Sequence, residues 1–572
     1  MALRFSISFL AVASLAGAAP IHLDFIHEIG GAPILADSLR YENSRSEAFS
    51  ITRLDWLATD FSVTLASGDT LVIPDSTVFI STRGGTFSLP DLPEEKITAI
   101  SFRIGPNKET NHSDPALYTA NHPLNPNLNN LHWDWQGGYI FLAMEGHWRA
   151  PGEKVPGGYA YHFANDPNRT TITLPLDLTP RNESRIAIAL DAQKLLEGLS
   201  FATDGTTTHS REDDLIAARL KTNLQPAFRI AGIQDGGIPT PPDPPKPIDL
   251  PADPKGYPVT LPNHIPLPAL PSDNPLITTR VALGEKLFHE TQLSKNNSIS
   301  CASCHQDETL SDPRKLSTGT EGQLGLRHSM PLFNLAWKTS FMWDGRAPSL
   351  RDQAMIPIQD HREMDESLGN VAAKLKADPA YPPLFAAAFG SGEITPDHIG
   401  LALENFLLTR LSFDSKFDRF MKGQATLTPE EQRGFELFFT ESEPRLGRKG
   451  ADCFHCHGGA LFTDHSFHNN GLATTEDLGL ESTTGKATDR YKFSTPTLRN
   501  IALTAPYMHD GRFATLEEVI EHYNSPVPLS ETLDPNLAKH PQGLGLSEED
   551  KTALLAFLKT LSDPAMSAEK QD

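Results

Sequence analysis

The chain is predicted to be multidomain, with an N-terminal all-β, sandwich-like domain followed by a mostly α region made of two similar halves. Three observations predict this. Residues 20–232 carry short alternating or β-branched runs, such as Phe61-Ser62-Val63-Thr64-Leu65, Thr77-Val78-Phe79-Ile80 and Thr171-Ile172-Thr173-Leu174, punctuated by Gly, Pro, Asn and Asp. Residues 233–275 are rich in proline, from Pro241-Pro242-Asp243-Pro244-Pro245-Lys246-Pro247 to prolines at 251, 254, 258, 262, 266, 268 and 271. Beyond them helix signals dominate and a pattern recurs, Gly284-Glu285-Lys286-Leu287-Phe288 and then Gly434-Phe435-Glu436-Leu437-Phe438, the mark of a tandem duplication.

At 572 residues the chain is too long for one hydrophobic core. Residues 1–19 read as an export signal: Arg4 gives a positive start, Ile7 to Leu15 an apolar stretch, and Ala16-Gly17-Ala18 a small-residue cleavage site. The absence of a nearby cysteine argues against a lipoprotein anchor. The strand runs of 20–232 suit a sandwich. The proline-rich stretch favours extended polyproline conformation and reads as a linker, reaching on the order of 100 Å if stretched. The helical region divides into 276–425 and 426–572. In the second half, Thr428-Pro429-Glu430-Glu431 is a capping box with Pro in the first turn, opening a helix through Phe438. Ser547-Glu548-Glu549-Asp550 opens the last helix, whose Leu554, Leu555, Phe557 and Leu558 share a face.

The formal charge of −23, with no basic stripe, argues against nucleic acid as a partner. No stretch after the signal reaches the roughly 18 apolar residues of a membrane span, so an exported, periplasmic protein is expected. All four cysteines lie in two pentads, Cys301-Ala302-Ser303-Cys304-His305 and Cys453-Phe454-His455-Cys456-His457. This spacing suits thioether attachment of two haem c groups, with His305 and His457 as axial ligands. Two CxxC disulfides or a zinc site are the rival reading. Each pentad follows one copy of the Gly-x-x-Leu-Phe pattern, so the helical region reads as two cytochrome-c-like halves in tandem.

The run Phe341-Met342-Trp343-Asp344-Gly345-Arg346-Ala347-Pro348-Ser349-Leu350, with Gln353 and Glu363-Met364, resembles the bacterial di-haem cytochrome c peroxidases. So do Thr495-Pro496-Thr497-Leu498-Arg499-Asn500 and Thr504-Ala505-Pro506-Tyr507-Met508-His509-Asp510-Gly511. The resemblance spans roughly residues 276–562. It implies that His305 ligates the peroxide haem, that Trp343 bridges the two haems, and that Glu363 and Gln353 form the distal pair. Peroxide heterolysis needs such a base and such a polar partner. Members that need reductive activation carry a histidine near residue 320, whereas this loop reads Ser317-Thr318-Gly319-Thr320-Glu321-Gly322. The second haem's usual methionine ligand is replaced by Tyr523, with His522 as rival. A phenolate favours ferric and higher oxidation states. Both departures resemble the MauG and MbnH branch, whose members oxidise residues of a partner protein. The resemblance also implies a calcium ion between the haems, held by carbonyls of Thr504 and Pro506. The usual asparagine is His328 here, and imidazole suits calcium poorly.

In the first domain, His122-Pro123-Leu124-Asn125, then Leu131-His132-Trp133-Asp134-Trp135-Gln136-Gly137-Gly138-Tyr139-Ile140-Phe141 and Tyr161-His162-Phe163, resemble the copper-associated MbnP family over about residues 20–200. That resemblance implies conversion of a tryptophan to kynurenine beside a copper site. Trp135 fits the motif spacing best, with Trp133 second, and His27, His132 and His162 are candidate copper ligands. The chain reads as a fusion of enzyme and substrate, in which a tether replaces diffusional encounter. The expected activity is oxidation, by hydrogen peroxide, of a tryptophan on the chain's own first domain. The alternative is a conventional peroxidase drawing electrons from a small cytochrome or cupredoxin. A non-enzymatic di-haem electron carrier is the third reading.

Overall fold

The computed structural model describes residues 20–36, 39–90, 92–133, 137–154, 156–180, 183–211, 213–235, 249–262, 265–306, 309–442, 449–472 and 476–567. Residues 1–19, where an export signal is expected, and Trp135 lie outside the described residues.

The β region is framed by β1 (Ile21–Ile29), β2 (Arg53–Leu65), β3 (Ile97–Ile104), β4 (His132–Trp133), β5 (Gly138–Arg149), β6 (Gly157–Ala164), β7 (Thr170–Leu178), β8 (Ser184–Asp191), β9 (Thr207–Thr208) and β10 (Phe228–Asp235). Alternation sorts their side chains. In β1, Ile21, Leu23 and Phe25 are buried while His22 and Asp24 are not. One sheet runs β10–β8–β1, with β1 and β8 parallel; the other runs β7–β3–β2–β5–β6–β9, with β4 paired to β5. The inner faces meet in an aromatic core, where Phe25 packs edge-on against Trp56 at 5.4 Å and Trp56 stacks on Phe102 at 6.2 Å. This is the expected sandwich.

The outer face of the larger sheet is not solvated. Register places Arg53 opposite Glu145, His162 opposite Ala143 and Gly158 opposite His147, all on the face away from Trp56. The second helical half covers this face. The His147 ring donates to the Leu533 carbonyl at 2.6 Å. Gly158 packs backbone to backbone on Pro535, so a Cβ there would meet the Pro535 oxygen at 1.6 Å. Gly158→Leu is therefore expected to lift the sheet off its partner. Hydrogen exchange should read this as about tenfold or greater loss of protection around residues 530–538, from an overpacking cost of roughly 1–3 kcal/mol.

In the helical region, α1 (Leu215–Ala227) closes the sandwich, followed by α2 (Thr278–Phe288), α3 (Leu350–Gln359), α4 (Pro396–Leu408), α5 (Pro429–Phe438), α6 (Leu516–Asn524) and α7 (Glu548–Lys559). Thr428 and Ser547 cap α5 and α7 with the expected capping boxes. The duplicated glycines have one cause. A Cβ on Gly284 would lie 2.0 Å from the Ala402 oxygen, and one on Gly434 would lie 1.9 Å from that of Ala553. Each glycine lets a helix pair, α2 with α4 and α5 with α7, cross in close contact.

The structure differs from the expected linker at both ends. Strand β10 continues to Asp235, pairing with Ser184, because that edge of β8 is open to it. The later prolines are docked rather than free. The Trp337 indole donates to the Pro266 carbonyl at 2.7 Å, Ile265 is buried, and Arg280 donates to the Asp249 carbonyl at 2.6 Å. Apolar residues between the prolines find a surface to bury against, which a composition-based reading omits. Residues 236–248 lie outside the described residues.

Candidate haem pockets and a buried domain interface

The two pentads fold alike. His305 sits in the turn after Cys301–Ser303 and its Nδ1 lies 3.4 Å from the Leu310 carbonyl; His457 ends a short helix with its Nδ1 3.2 Å from the Phe462 carbonyl. In each case a carbonyl five residues on takes the Nδ1 proton, which leaves Nε2 as the metal-facing nitrogen. The cysteines are unpaired with one another. This donor set fits two covalently held haems and does not fit the disulfide reading.

A cavity of about 640 Å³ opens beside the first pentad, lined by Cys301, Cys304, His305, Trp343, Gln353 and Glu363 among others. Gln353 lies in the first turn of α3, capped by Ser349. Glu363 is held from both sides of its peptide: its N–H donates to the Asp360 carbonyl at 2.9 Å and its carbonyl accepts from Thr320 at 2.9 Å. Burial, with Asp360 adding to it against Arg346, pushes the Glu363 carboxyl up to about 7. The loop that lacks histidine packs on this segment through Gly319, where a Cβ would meet the Arg362 oxygen at 2.2 Å.

Trp343 spans the two halves. Its indole donates to the His328 carbonyl at 2.7 Å within the first half, while its own carbonyl accepts from Ser494 of the second at 2.8 Å. Its local frame is repeated: Met342 and Met508 have φ of 70° and 74°, and Trp343 and His509 follow them, both lining the same cavity. In sequence the repeat is the shared Met-x-Asp-Gly-Arg of residues 342–346 and 508–512.

Tyr523 is half-buried on α6 behind the second pentad. Burial pushes its phenol up to about 12, opposed by an Asn470 amide that donates to its hydroxyl at 3.4 Å. His522, the rival, is turned away: its Nε2 lies 2.8 Å from the Asn470 carbonyl. At the expected calcium position, His328 is buried with both ring nitrogens lacking hydrogen-bond partners. Among the described residues, the groups of three His, Cys, Asp or Glu ligand atoms lie elsewhere.

The candidate copper ligands separate. The His27 ring accepts from Trp56 at 2.9 Å and lies 3.2 Å from the Thr82 carbonyl, on the sandwich's inner side. His162 lies on the outer face, so alternation across the sheet keeps the two from sharing an ion. This corrects the expected grouping. His132 packs on Tyr139 at 4.8 Å and, on a two-residue strand, points opposite to Trp133. Trp133 is brought to His162, their rings 6.2 Å apart, and to a residue that sequence reasoning missed, His209, at 5.3 Å.

The two histidines meet the second pentad. The His209 ring lies 6.1 Å from Phe454 and 6.2 Å from His455, and the His162 ring lies 5.5 Å from His455. The cluster is charged yet buried. Burial pushes the Glu145 carboxyl up, but Arg53 and His162 outweigh it and hold it well below the usual range. Burial drives the His209 imidazole down to about 3. Glu441 stays ionised despite burial because Lys539, His455 and His209 surround it. A second group, Cys456, Asp464 and His468, involves a haem-attachment cysteine, and its imidazole is clamped between Asp464 at 2.6 Å and Asp534 at 2.5 Å.

A family model for di-haem cytochrome c peroxidase matches residues 278–426, and one for MbnP matches residues 18–210. Methylamine utilization protein MauG of Methylorubrum extorquens is 40% identical over 302 residues, covering 52% of this chain and 82% of that protein. Cytochrome c peroxidase Ccp of Escherichia coli is 32% identical, covering 53% and 63% respectively. A solved MauG-like protein associated with microbial copper homeostasis is 34% identical with a TM-score of 0.49, covering 55% of this chain and 98% of that one. Among the described residues, no helix is long and apolar enough to cross a membrane.

Proposed function

From the premise that this chain belongs to the MauG and di-haem cytochrome c peroxidase family, joined to an MbnP-like domain, we propose that it uses hydrogen peroxide to oxidise a tryptophan of that domain to kynurenine, in the same chain and in the periplasm. The observation that carries this reading is Trp133, which is buried at the domain interface, 5.3 Å from an imidazole that itself adjoins Phe454 and His455 of the second pentad. Trp135, the first choice on motif spacing, lies outside the described residues, and its position supports neither choice.

When bound, the two haems supply peroxide cleavage and storage of two oxidising equivalents. The chain's residues do the rest. Glu363, poised near neutrality, accepts a proton from peroxide and returns it to the leaving oxygen, and Gln353 orients the peroxide. Trp343 would link the halves electronically, and Tyr523 would hold the second haem through its phenol oxygen. The His209 ring adjoins Trp133 at 5.3 Å and the pentad's Phe454 and His455 at 6.1 and 6.2 Å, a chain of rings between the second pentad and the indole. His162 then stands beside the modified ring as an imidazole for copper. The buried, unpartnered imidazole of His328 does not suit calcium, so Thr504 and Pro506 are given no part in the reaction.

Peptide mass spectrometry of residues 131–149 tests the reading. Peroxide should add about 4 Da, one carbon lost and one oxygen gained, to one tryptophan. The yield per chain should not depend on protein concentration, as the tethered encounter requires. Two unchanged tryptophans in haem-loaded, peroxide-treated protein would defeat it. Likeness to the Escherichia coli peroxidase supports the second reading, turnover with a small cytochrome or cupredoxin as donor, which leaves both tryptophans intact.

A further inference from the structure

We propose a divalent metal site, for zinc or copper(II), formed across the domain interface by His209, Glu441 and His455. His209 belongs to the β domain, Glu441 follows α5, and His455 is a middle residue of the second pentad. The ligand atoms of all three lie within 4.8 Å of one another. His209 Nε2 stands 3.3 Å from Glu441 Oε2, and His455 Nε2 stands 2.8 Å from the same oxygen. A tetrahedral ion with bonds of about 2.0–2.1 Å needs ligand atoms roughly 3.3 Å apart. The His209–Glu441 separation already fits, the His455–Glu441 separation must open by about half an ångström, and the two imidazole nitrogens close in from within 4.8 Å of each other.

A second observation points to a ligand. His209 is 7% exposed, and its Nε2 has no hydrogen-bond partner although it lies against the carboxylate. A buried nitrogen left in that condition is costly in a structural ion-pair network, and a metal ion relieves it. His162 adds a second unpartnered nitrogen, Nδ1, with its ring 5.4 Å from His209 and 5.5 Å from His455, next to the open fourth position.

The rest of the cluster supports a cation. The other oxygen of Glu441 accepts from Lys539 at 2.5 Å and from Thr207 at 3.0 Å, so the carboxylate stays ionised. Its Oε2, which takes a hydrogen bond from His455 at 2.8 Å, faces both imidazoles, and an ion would replace that hydrogen bond. Lys539 is the ammonium against the site. Asp452, 3.9 Å from Lys539, and Glu145, bonded to His162, offset its charge. Two imidazoles and one carboxylate suit zinc and copper(II) rather than calcium or magnesium. Nor does haem attachment require His455, since the first pentad has Ser303 at the corresponding place. The site does not rest on the tryptophan reading, because all three ligands are present before any oxidation.

The test uses haem-loaded full-length protein that has never met peroxide, with residues 131–149 shown unmodified by mass. Dialysis against zinc chloride, and separately against copper(II) sulfate, should leave one metal ion per chain. X-ray absorption at the metal edge should show imidazole and oxygen neighbours. His209→Asn and, independently, His455→Ser should each lose that one equivalent while keeping both haems and the wild-type circular dichroism. The proposal is overturned by equal uptake in the variants, by no uptake in the wild type, or by uptake that appears only after peroxide treatment. The last outcome would leave the tryptophan reading standing, and a bound ion beside inert tryptophans would remove that reading and leave this one.

Discussion

Trp343→Phe should keep both haems attached and leave the chain folded, yet slow peroxide-driven modification of residues 131–149 at least about a hundredfold, equivalent to roughly 3 kcal/mol in the barrier. The ring it removes is buried, contacts the first half through its indole N–H and is anchored to the second through its carbonyl. Phenylalanine fills most of the same volume, so the packing loss is small. What disappears is the donor to the His328 carbonyl and the readily oxidised indole. Absorbance spectra report haem content and timed peptide mass spectrometry reports conversion. A variant that converts tryptophan at the wild-type rate would remove Trp343 from the route between the halves.

Glu363→Gln should lower the rate of reaction with peroxide by about 10²–10⁴-fold, the usual contribution of a positioned acid–base group. Its dependence on pH follows from the raised carboxyl. The group works as a base only when deprotonated, and burial places that transition near 7. The wild-type rate should therefore climb about tenfold per pH unit below 7, reach a plateau above it, and stand near one hundredth of the plateau at about pH 5. The Gln variant should lose this slope as well as the rate. Stopped-flow mixing with peroxide across pH 5–9 separates the outcomes. A slope that persists in Glu363→Gln would assign the titration to another group.

The interface changes how the fusion is understood. A free tether would only raise the chance of encounter. Here the β domain's outer face is buried on the second half through His147, Gly158 and Thr207, with the substrate-side Trp133 already enclosed. On the proposed reading, docking of this kind would make modification a property of one chain rather than of a collision.

Local chemistry was legible in the residues alone. The two pentads and the capping boxes at Thr428 and Ser547 each act through neighbours within a few positions, so spacing reveals them. The glycines 284 and 434 showed only as a repeat, because the helices they touch lie more than a hundred positions further on. The alternating, β-branched strand runs likewise announced a sandwich. Only tertiary structure decided the rest. His209 and Glu441 are 232 positions apart, and no periodicity links them. Arg53, Glu145 and His162 occupy the polar register of their strands, which a sequence reading assigns to water. The fold instead buries that register against a second domain, and alternation across the sheet removes His27 from the same company. The cause is physical. A strand's period specifies which residues share a face, whereas what covers that face depends on surfaces hundreds of residues away.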